Sequence, residues 1–173
     1  MENKIVIAET DRLILRRYKK EDLQDLFEYL SDKEVVEYEP YKPLTLNETK
    51  ENLEWRIGTE EMIAVELKNS HKMIGNVYMG KREFDAMEIG YVFNRNYWGN
   101  GYAAESCKAL IQYAFSNGIH RIYAECDPRN KSSWKLLEVL GFQREAHLRK
   151  NVYFCKDENE GPIWKDTYIY MPN

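Results

Sequence analysis

No block of lysine and arginine stands out along this chain, and that absence bounds its partners first. The 173 residues carry 25 basic and 29 acidic side chains, a net charge of −4, whereas a basic stripe is the usual footprint of a nucleic-acid binder. Nucleic acid is therefore not expected as the primary partner. Long apolar runs are missing too. In the N-terminal stretch MENKIVIAETDRLILRRY the apolar segments are only about five residues long and charge interrupts them, unlike a secretory core or a membrane span. The expectation is a cytoplasmic protein with no membrane partner. Cys107, Cys126 and Cys155 are odd in number, far apart and outside any CxxC or Cys/His cluster, which argues against a disulfide framework or zinc site and for buried reduced thiols. No Gly-, Ser- or Pro-rich linker, repeat or low-complexity run divides the chain, so residues 1–173 read as one domain, long enough to bury a core.

What is present alternates between strand and helix periods. RLILRRY reads as a strand, and KEDLQDLFEYLSD puts Leu23, Leu26, Phe27 and Leu30 on one helical face. TLNETKENLEWRIG predicts a second helix, capped by Thr45 or Asn47 and closed by Gly58. MIAVEL, KMIGNVYMG and AMEIGYVF follow, joined by the short polar turns KNSH and REFD, the pattern of an antiparallel meander. A long helix then stops at Gly118, RIYAEC is a strand, and a further helix opens near Asp127, Pro128 and Asn130. AHLRKNVYFCKD and IWKDTYIYMP flank the turn signal ENEG and predict a closing hairpin. The order indicates an α+β fold with a central mixed sheet.

The stretch NYWGNGYAAESCKALIQYAF asks for an explanation, because Gly99 and Gly101 flank Asn100 and run straight into an apolar helical stripe. A permissive loop before a helix is the plainest account. A dinucleotide fingerprint also fits the spacing from Gly99 to Ala104, with Glu125 about 20 residues further on. That fold needs the fingerprint after its first strand, and here it follows a meander with little chain remaining. The third account is a pyrophosphate cradle, in which backbone N–H groups from Trp98 through Gly99, Asn100, Gly101 and Tyr102 to Ala103 face an anion and the helix dipole adds positive potential. A Cβ at either glycine would then obstruct the phosphate.

The segment resembles the acetyl-CoA loop of the GCN5-related N-acetyltransferases, the GNAT superfamily, and in particular its RimJ/RimL-type branch. Asn96-Tyr97-Trp98-Gly99-Asn100-Gly101 matches both glycines of that loop but has Asn where the family usually has Gln or Arg. NKSSWKLLEVLGF is similar to a second motif of the branch through Asn130, Ser133, Leu137, Glu138, Gly141 and Phe142, and EIGYVF and WKDTYIY add to the likeness. The resemblance implies a mostly antiparallel mixed sheet flanked by helices, with a splayed parallel strand pair made by EIGYVF and RIYAEC. Pantetheine would bond the backbone of Tyr91, Val92 and Phe93 there as an added strand. It implies acetyl-CoA as co-substrate, contacts to it from Asn130, and Ser133 as proton donor to the departing thiolate. The tyrosine that many relatives use instead would fall at Leu137.

Acetyl transfer needs a neutral amine, a polarised carbonyl and a proton for the thiolate, and nothing in it requires a metal. Glu125 and Glu88 match positions where relatives carry a base, and each is equally readable as a surface carboxylate. An α-amine is about one-seventh neutral at pH 7 and a lysine-like amine about one part in 2,500, which tilts the acceptor toward a peptide N-terminus. A polyamine or amino-sugar drug, or a non-catalytic acyl-CoA-binding module, are the alternatives. DKEVVEYEPYKP, with Glu34, Glu37, Glu39, Tyr38 and Tyr41, is an acidic, aromatic surface suited to a cationic amine. Trp55, Tyr153, Phe154 and Trp164 suit a groove, core packing or a homodimer contact.

Overall fold

In the computed structural model, which describes residues 5–173, one eight-stranded sheet carries the architecture. Met1 to Lys4, the start of the N-terminal stretch read above, lie outside the described residues. Strands β1 (Val6–Glu9) and β2 (Leu13–Arg16) form a hairpin; α1 (Leu23–Leu30) and α2 (Leu46–Gly58) follow; β3 (Met62–Leu67), β4 (Met73–Arg82) and β5 (Ala86–Phe93) are the expected meander. Then come α3 (Tyr102–Ser116), β6 (Arg121–Cys126), α4 (Lys131–Val139), β7 (Phe142–Val152) and β8 (Lys165–Pro172). The order across the sheet is β1-β2-β3-β4-β5-β6-β8-β7. Every neighbouring pair is antiparallel except β5 and β6. The α+β expectation with a parallel pair therefore holds.

Alternation of side chains sorts the sheet into two faces. Val77, Met79, Ile89, Tyr91 and Phe93 pack with Cys107 and Leu110 of α3 and Leu137 of α4. On the other face Tyr78 and Val92 pack with Leu26 and Tyr29 of α1 and Leu53 of α2. Helix α2 opens with a capping box: the Thr45 hydroxyl accepts from the Glu48 N–H, and the Glu48 carboxylate accepts from the Thr45 N–H at 2.7 Å. Thr45, not Asn47, is the cap.

Two elements differ from expectation. Strand β1 was not anticipated, because four residues at a sheet edge give too short an alternation to register. Strand β7 begins at Phe142 and ends at Val152, so the connection to β8 is a loop with a lone bridge between Lys156 and Pro162, not a tight turn at ENEG. Cys107 and Cys126 are buried free thiols as expected, but Cys155, on that loop, is exposed.

A buried ion cluster ties the first hairpin to the meander. Arg16, 5% exposed, donates to both oxygens of Asp22 at 2.9 and 2.7 Å and to Glu66 at 2.5 Å. Asp22→Ala leaves Arg16 with Glu66 alone and removes its bidentate charge-assisted bonds, so it is expected to cost about 1.5–3 kcal/mol. Thr45→Ala, which removes only a cap, should cost about 1 kcal/mol. Urea midpoints of the two variants check the difference; equal shifts would mean that Arg16 finds other compensation.

Candidate active site

Strands β5 and β6 pair for only four residues, from Ala86 opposite Arg121 to Ile89 opposite Ala124. Past that point β5 stays on β4 while β6 pairs with β8 through Ala124, Glu125 and Cys126. The strands diverge, and a cleft of about 1220 Å³ opens between and around them. The Asn94 N–H donates to the Ile74 carbonyl at 2.8 Å, so by ladder alternation the peptide groups of Val92 also serve β4, while those of Tyr91 and Phe93 face the gap. The expected run of three open residues is thus reduced to two. One of their acceptors is in use, since the Trp98 indole N–H donates to the Phe93 carbonyl at 2.9 Å.

From the end of β5 the chain leads through a 3₁₀ turn at Arg95–Tyr97 to the glycine loop. Gly99 and Gly101 both have positive φ, 76° and 79°. A Cβ on Gly99 would meet nothing within 4 Å, and one on Gly101 only Arg12 Nη2 at 3.5 Å. The protein itself therefore requires these glycines for conformation, not for space. The Glu105 N–H makes the first helical bond of α3, to the Gly101 carbonyl, which leaves the N–H groups of Tyr102, Ala103 and Ala104 without helical partners. One expected cradle contribution is otherwise engaged, since the Trp98 N–H closes the 3₁₀ turn on Arg95, while the Asn100 side-chain amide braces the loop by donating back to the Tyr97 and Trp98 carbonyls. Arg12, which sequence reasoning missed, reaches this loop from the β1–β2 turn, held by Glu105 at 2.7 Å and lying 4.4 Å over the Tyr102 ring.

Helix α4 starts just beyond β6, and the Asn130 side-chain carbonyl accepts from the Ser133 N–H at 3.2 Å and the Ser132 hydroxyl at 3.0 Å. Asn130 thus anchors the start of α4 as its cap. Ser133 Oγ sits 3.1 Å from the Tyr91 hydroxyl, which donates to the Ser133 carbonyl at 2.8 Å. Tyr91 has a single phenolic proton, so its oxygen is left to accept from Ser133 Oγ. Burial pushes the Tyr91 hydroxyl well above its ordinary range, against the opposing Ser133 bond. This contact between β5 and α4 had no signal in the sequence.

The two candidate bases share the opposite face. Glu125 lies one position past Ala124, alongside Gly90, and Glu88 is two positions before Gly90 on the same face of β5. Glu88 is paired with Arg82 at 2.6 Å, and Arg82 is braced by the Tyr78 hydroxyl at 3.1 Å. Gly80 makes that brace feasible, since a Cβ there would fall 2.1 Å from the Tyr78 oxygen. Glu125 has no ion pair among the described residues. Partial burial first, and then repulsion from Glu88, raise its carboxyl above the ordinary range, with Arg82 opposing.

These features agree with what the sequence matches. The family described as Acetyltransferase (GNAT) domain matches residues 12–143. The chain is a GNAT acetyltransferase. An uncharacterized N-acetyltransferase of Bacillus subtilis, YnaD, is 33% identical over 167 residues, covering 93% of each chain. The crystal structure of a GNAT-family acetyltransferase from Bacillus anthracis superposes with a TM-score of 0.86 at 30% identity, covering 94% of this chain and 95% of that one. The [Ribosomal protein uS5]-alanine N-acetyltransferase of Escherichia coli is 37% identical over 75 residues, covering 43% of this chain and 38% of its own. The GNAT likeness is borne out, with a ribosomal-protein alanine acetyltransferase of the RimJ/RimL type among the partial matches.

The acidic segment expected at the acceptor side does line the cleft of this acetyltransferase, through Glu34, Glu37, Tyr38, Glu39 and Tyr41. Trp55 and Phe154 also line it, whereas Tyr153 and Trp164 stack edge to face at 5.3 Å, partly exposed. Among the described residues no group of three or more His, Cys, Asp or Glu is gathered to hold a metal, and no helix is long and apolar enough to cross a membrane.

Gly101→Ala and Gly118→Ala separate conformation from binding. Gly118, at the far end of α3, also has positive φ, 86°, and open space around it. Each alanine is expected to cost about 1 kcal/mol or more of stability. Only Gly101→Ala should weaken acetyl-CoA affinity, by about tenfold or more in calorimetry. Equal affinities for the two variants would remove the cradle.

Proposed function

We propose that residues 1–173 form one cytoplasmic acetyltransferase domain that moves an acetyl group from acetyl-CoA directly to the α-amine of a peptide N-terminus in a ternary complex. The observation that carries this reading is the arrangement about the diverging strands. Ser133 and the glycine loop stand on the α3/α4 face, and Glu88 and Glu125 stand on the α1/α2 face. A thioester passed between β5 and β6 would meet its proton donor from one side and its amine from the other.

Each residue then has a role. The N–H groups of Gly99 to Ala104 and the α3 dipole hold the pyrophosphate. The peptide groups of Tyr91 and Phe93 bond the pantetheine amides. Glu125, unpaired and raised, takes the proton from the attacking amine, directly or through water, while Glu88 with Arg82 sets the local potential. The tetrahedral intermediate collapses, the C–S bond breaks, and Ser133 Oγ turns its one proton from the Tyr91 oxygen to the departing sulfur. The proton taken by Glu125 passes to solvent and solvent restores the Ser133 hydroxyl, so that the proton lost by nitrogen balances the one gained by coenzyme A. Tyr91 is a positioning residue that fixes the Ser133 rotamer. Orientation itself supplies about 7–11 kcal/mol of such reactions, which fits a site with few catalytic groups. Partial identity to the ribosomal-protein alanine acetyltransferase supports the α-amine choice. A polyamine acceptor is the second reading, favoured by the acidic lining of Glu34, Glu37 and Glu39.

Two sets of variants test these roles. Thiol release with N-terminal peptides and with spermidine should identify peptides as the acceptor. Ser133→Ala is expected to lower kcat at least about tenfold. Tyr91→Phe should lower kcat less and leave acetyl-CoA affinity unchanged; undiminished turnover in Ser133→Ala would reassign the acid. For the base, activity should fall as pH drops through a raised carboxyl. Glu88→Gln removes a like charge and frees Arg82, both of which lower the Glu125 pKa, so the acid limb of kcat should move to lower pH. Glu125→Gln should abolish that limb. If Glu88→Gln is the variant that abolishes it, the two carboxylates exchange roles.

A further inference from the structure

Two arginines are buried in this protein, and they are treated differently. Arg16 is met by two carboxylates. Arg56, in the last turn of α2 and 3% exposed, forms no ion pair among the described residues. Its Nε donates to the Asn52 side-chain oxygen at 2.5 Å and its Nη1 to the Tyr18 hydroxyl at 2.9 Å, both neutral partners. Tyr18 continues to Tyr29 at 3.3 Å, and Tyr29 donates to Asn76 on β4 at 2.8 Å. The cluster stands on the α1/α2 face, and Arg56, Asn52 and Asn76 all line the cleft that also holds Glu88 and Glu125.

A guanidinium stays charged at any accessible pH, and an uncompensated buried charge is costly, so an apolar residue of similar size would serve packing better. The helix C-terminus and the Tyr18 ring, 5.3 Å away, offset part of that charge. Glu39 is the carboxylate whose field Arg56 feels, yet no ion pair joins them, and burial holds the Glu39 carboxyl up at about 7 despite the arginine. Arg56 thus borders the cleft with Nε and Nη1 engaged by neutral partners, Nη2 without a hydrogen-bond partner and no ion pair among the described residues.

We infer that Arg56 is the anion-binding end of the acceptor subsite, and that the amine this enzyme acetylates carries a carboxylate. This rests on the proposed α-amine acceptor and narrows it. Asn76 sits opposite Val92, two residues or about 7 Å along β5 from Gly90, which lies alongside Glu125, and Arg56 lies beyond Asn76 at the end of the Tyr29 and Tyr18 hydroxyl chain. One acceptor can then place its ammonium toward Glu88 and Glu125 and its carboxylate toward Arg56. The carboxylate is either an acidic side chain next to the N-terminal residue or the terminal carboxylate of a very short peptide. The acidic cleft lining attracts the amine, and the single buried cation selects what is attached to it.

Matched acceptors test this on the wild-type enzyme by thiol release from acetyl-CoA. One pair is Ala-Asp-Ala-amide against Ala-Asn-Ala-amide, which reads a side-chain carboxylate. The other is Ala-Ala against Ala-Ala-amide, which reads a terminal one. In at least one pair the carboxylate member should have kcat/KM about tenfold or more higher, the scale of a hydrogen bond to a charged group, and the pair that responds identifies the source. Arg56→Gln should bring that ratio to within about twofold through KM, with kcat and acetyl-CoA affinity retained because coenzyme A lies on the other face. Arg56→Lys should keep part of the preference. If the buried substitutions fail to fold, the wild-type ratios decide alone. Equal rates within both wild-type pairs would overturn the inference and leave the α-amine reading intact. Absence of turnover on all four peptides, with turnover on spermidine, would overturn both.

Discussion

The parting of β5 from β6 after Ile89 and Ala124 is the constraint on which the site depends. A parallel pair that continued would satisfy its own backbone and leave no opening. Because β6 turns instead to β8, the peptide groups of Tyr91 and Phe93 lose a strand partner at mid-sheet, where unpaired groups are costly. The same divergence determines where the next elements begin. The chain leaving β5 reaches α3 through the glycine loop, and the chain leaving β6 reaches α4 through Pro128 and Asn130. Two helix N-termini are thereby gathered beside the ends of the diverging strands. Ligand crevices outside the carboxyl ends of strands arise in open α/β sheets for the same topological reason.

The approach to the glycine loop is tied to α1 and the segment after it. Arg95 bonds Asp32 at 3.0 Å and Glu34 at 2.9 Å in the segment after α1, and Asn94 donates to Glu28 of α1 at 3.0 Å. Lys72 joins Glu28 to Asp25, and Asp25 in turn accepts from the Met73 N–H. Bonds from Lys72 and Asn94 keep the Glu28 carboxyl below its ordinary range. Exposed pairs contribute little singly. Here they form a network whose members span α1, β4 and the loop before α3, so the surface that lines the acceptor cleft also anchors the approach to the cradle. The two halves of the site are mechanically joined without sharing a ligand.

Much of this was legible in the sequence where the signal is local. The stripe of Cys107, Leu110 and Ala114 marked α3, a cap at Thr45 or Asn47 marked the start of α2, and paired glycines before a helix marked the loop. The start of α4 near Asn130 was readable because capping is a three-residue affair. What could not be read were contacts between distant residues. Ser133 and Tyr91 are 42 positions apart, and their hydrogen bond exists only because α4 packs over β5. Tyr78, Gly80, Arg82 and Glu88 form one assembly across a β-hairpin, yet each alone resembles ordinary strand or surface chemistry. Arg56 carried no signal at all: one charged residue on an amphipathic helix looks solvated until Tyr18 and Tyr29 are found around it.

The electrostatics of the two faces bear on the acceptor in opposite ways. Glu125 is raised because it is partly buried and beside another carboxylate, and a stronger base suits an amine that must lose a proton. Proton removal alone is an inefficient route for a lysine-like amine, whose neutral form is rarer than that of an α-amine by a factor costing about 3.5 kcal/mol at pH 7. A polyamine would satisfy the acidic rim but would also bring its second cation toward Arg56, where like charge in a buried site is strongly disfavoured. An α-amine linked to a carboxylate meets neither obstacle. It is partly neutral at physiological pH, and its anion neutralises the charge that the fold otherwise leaves buried.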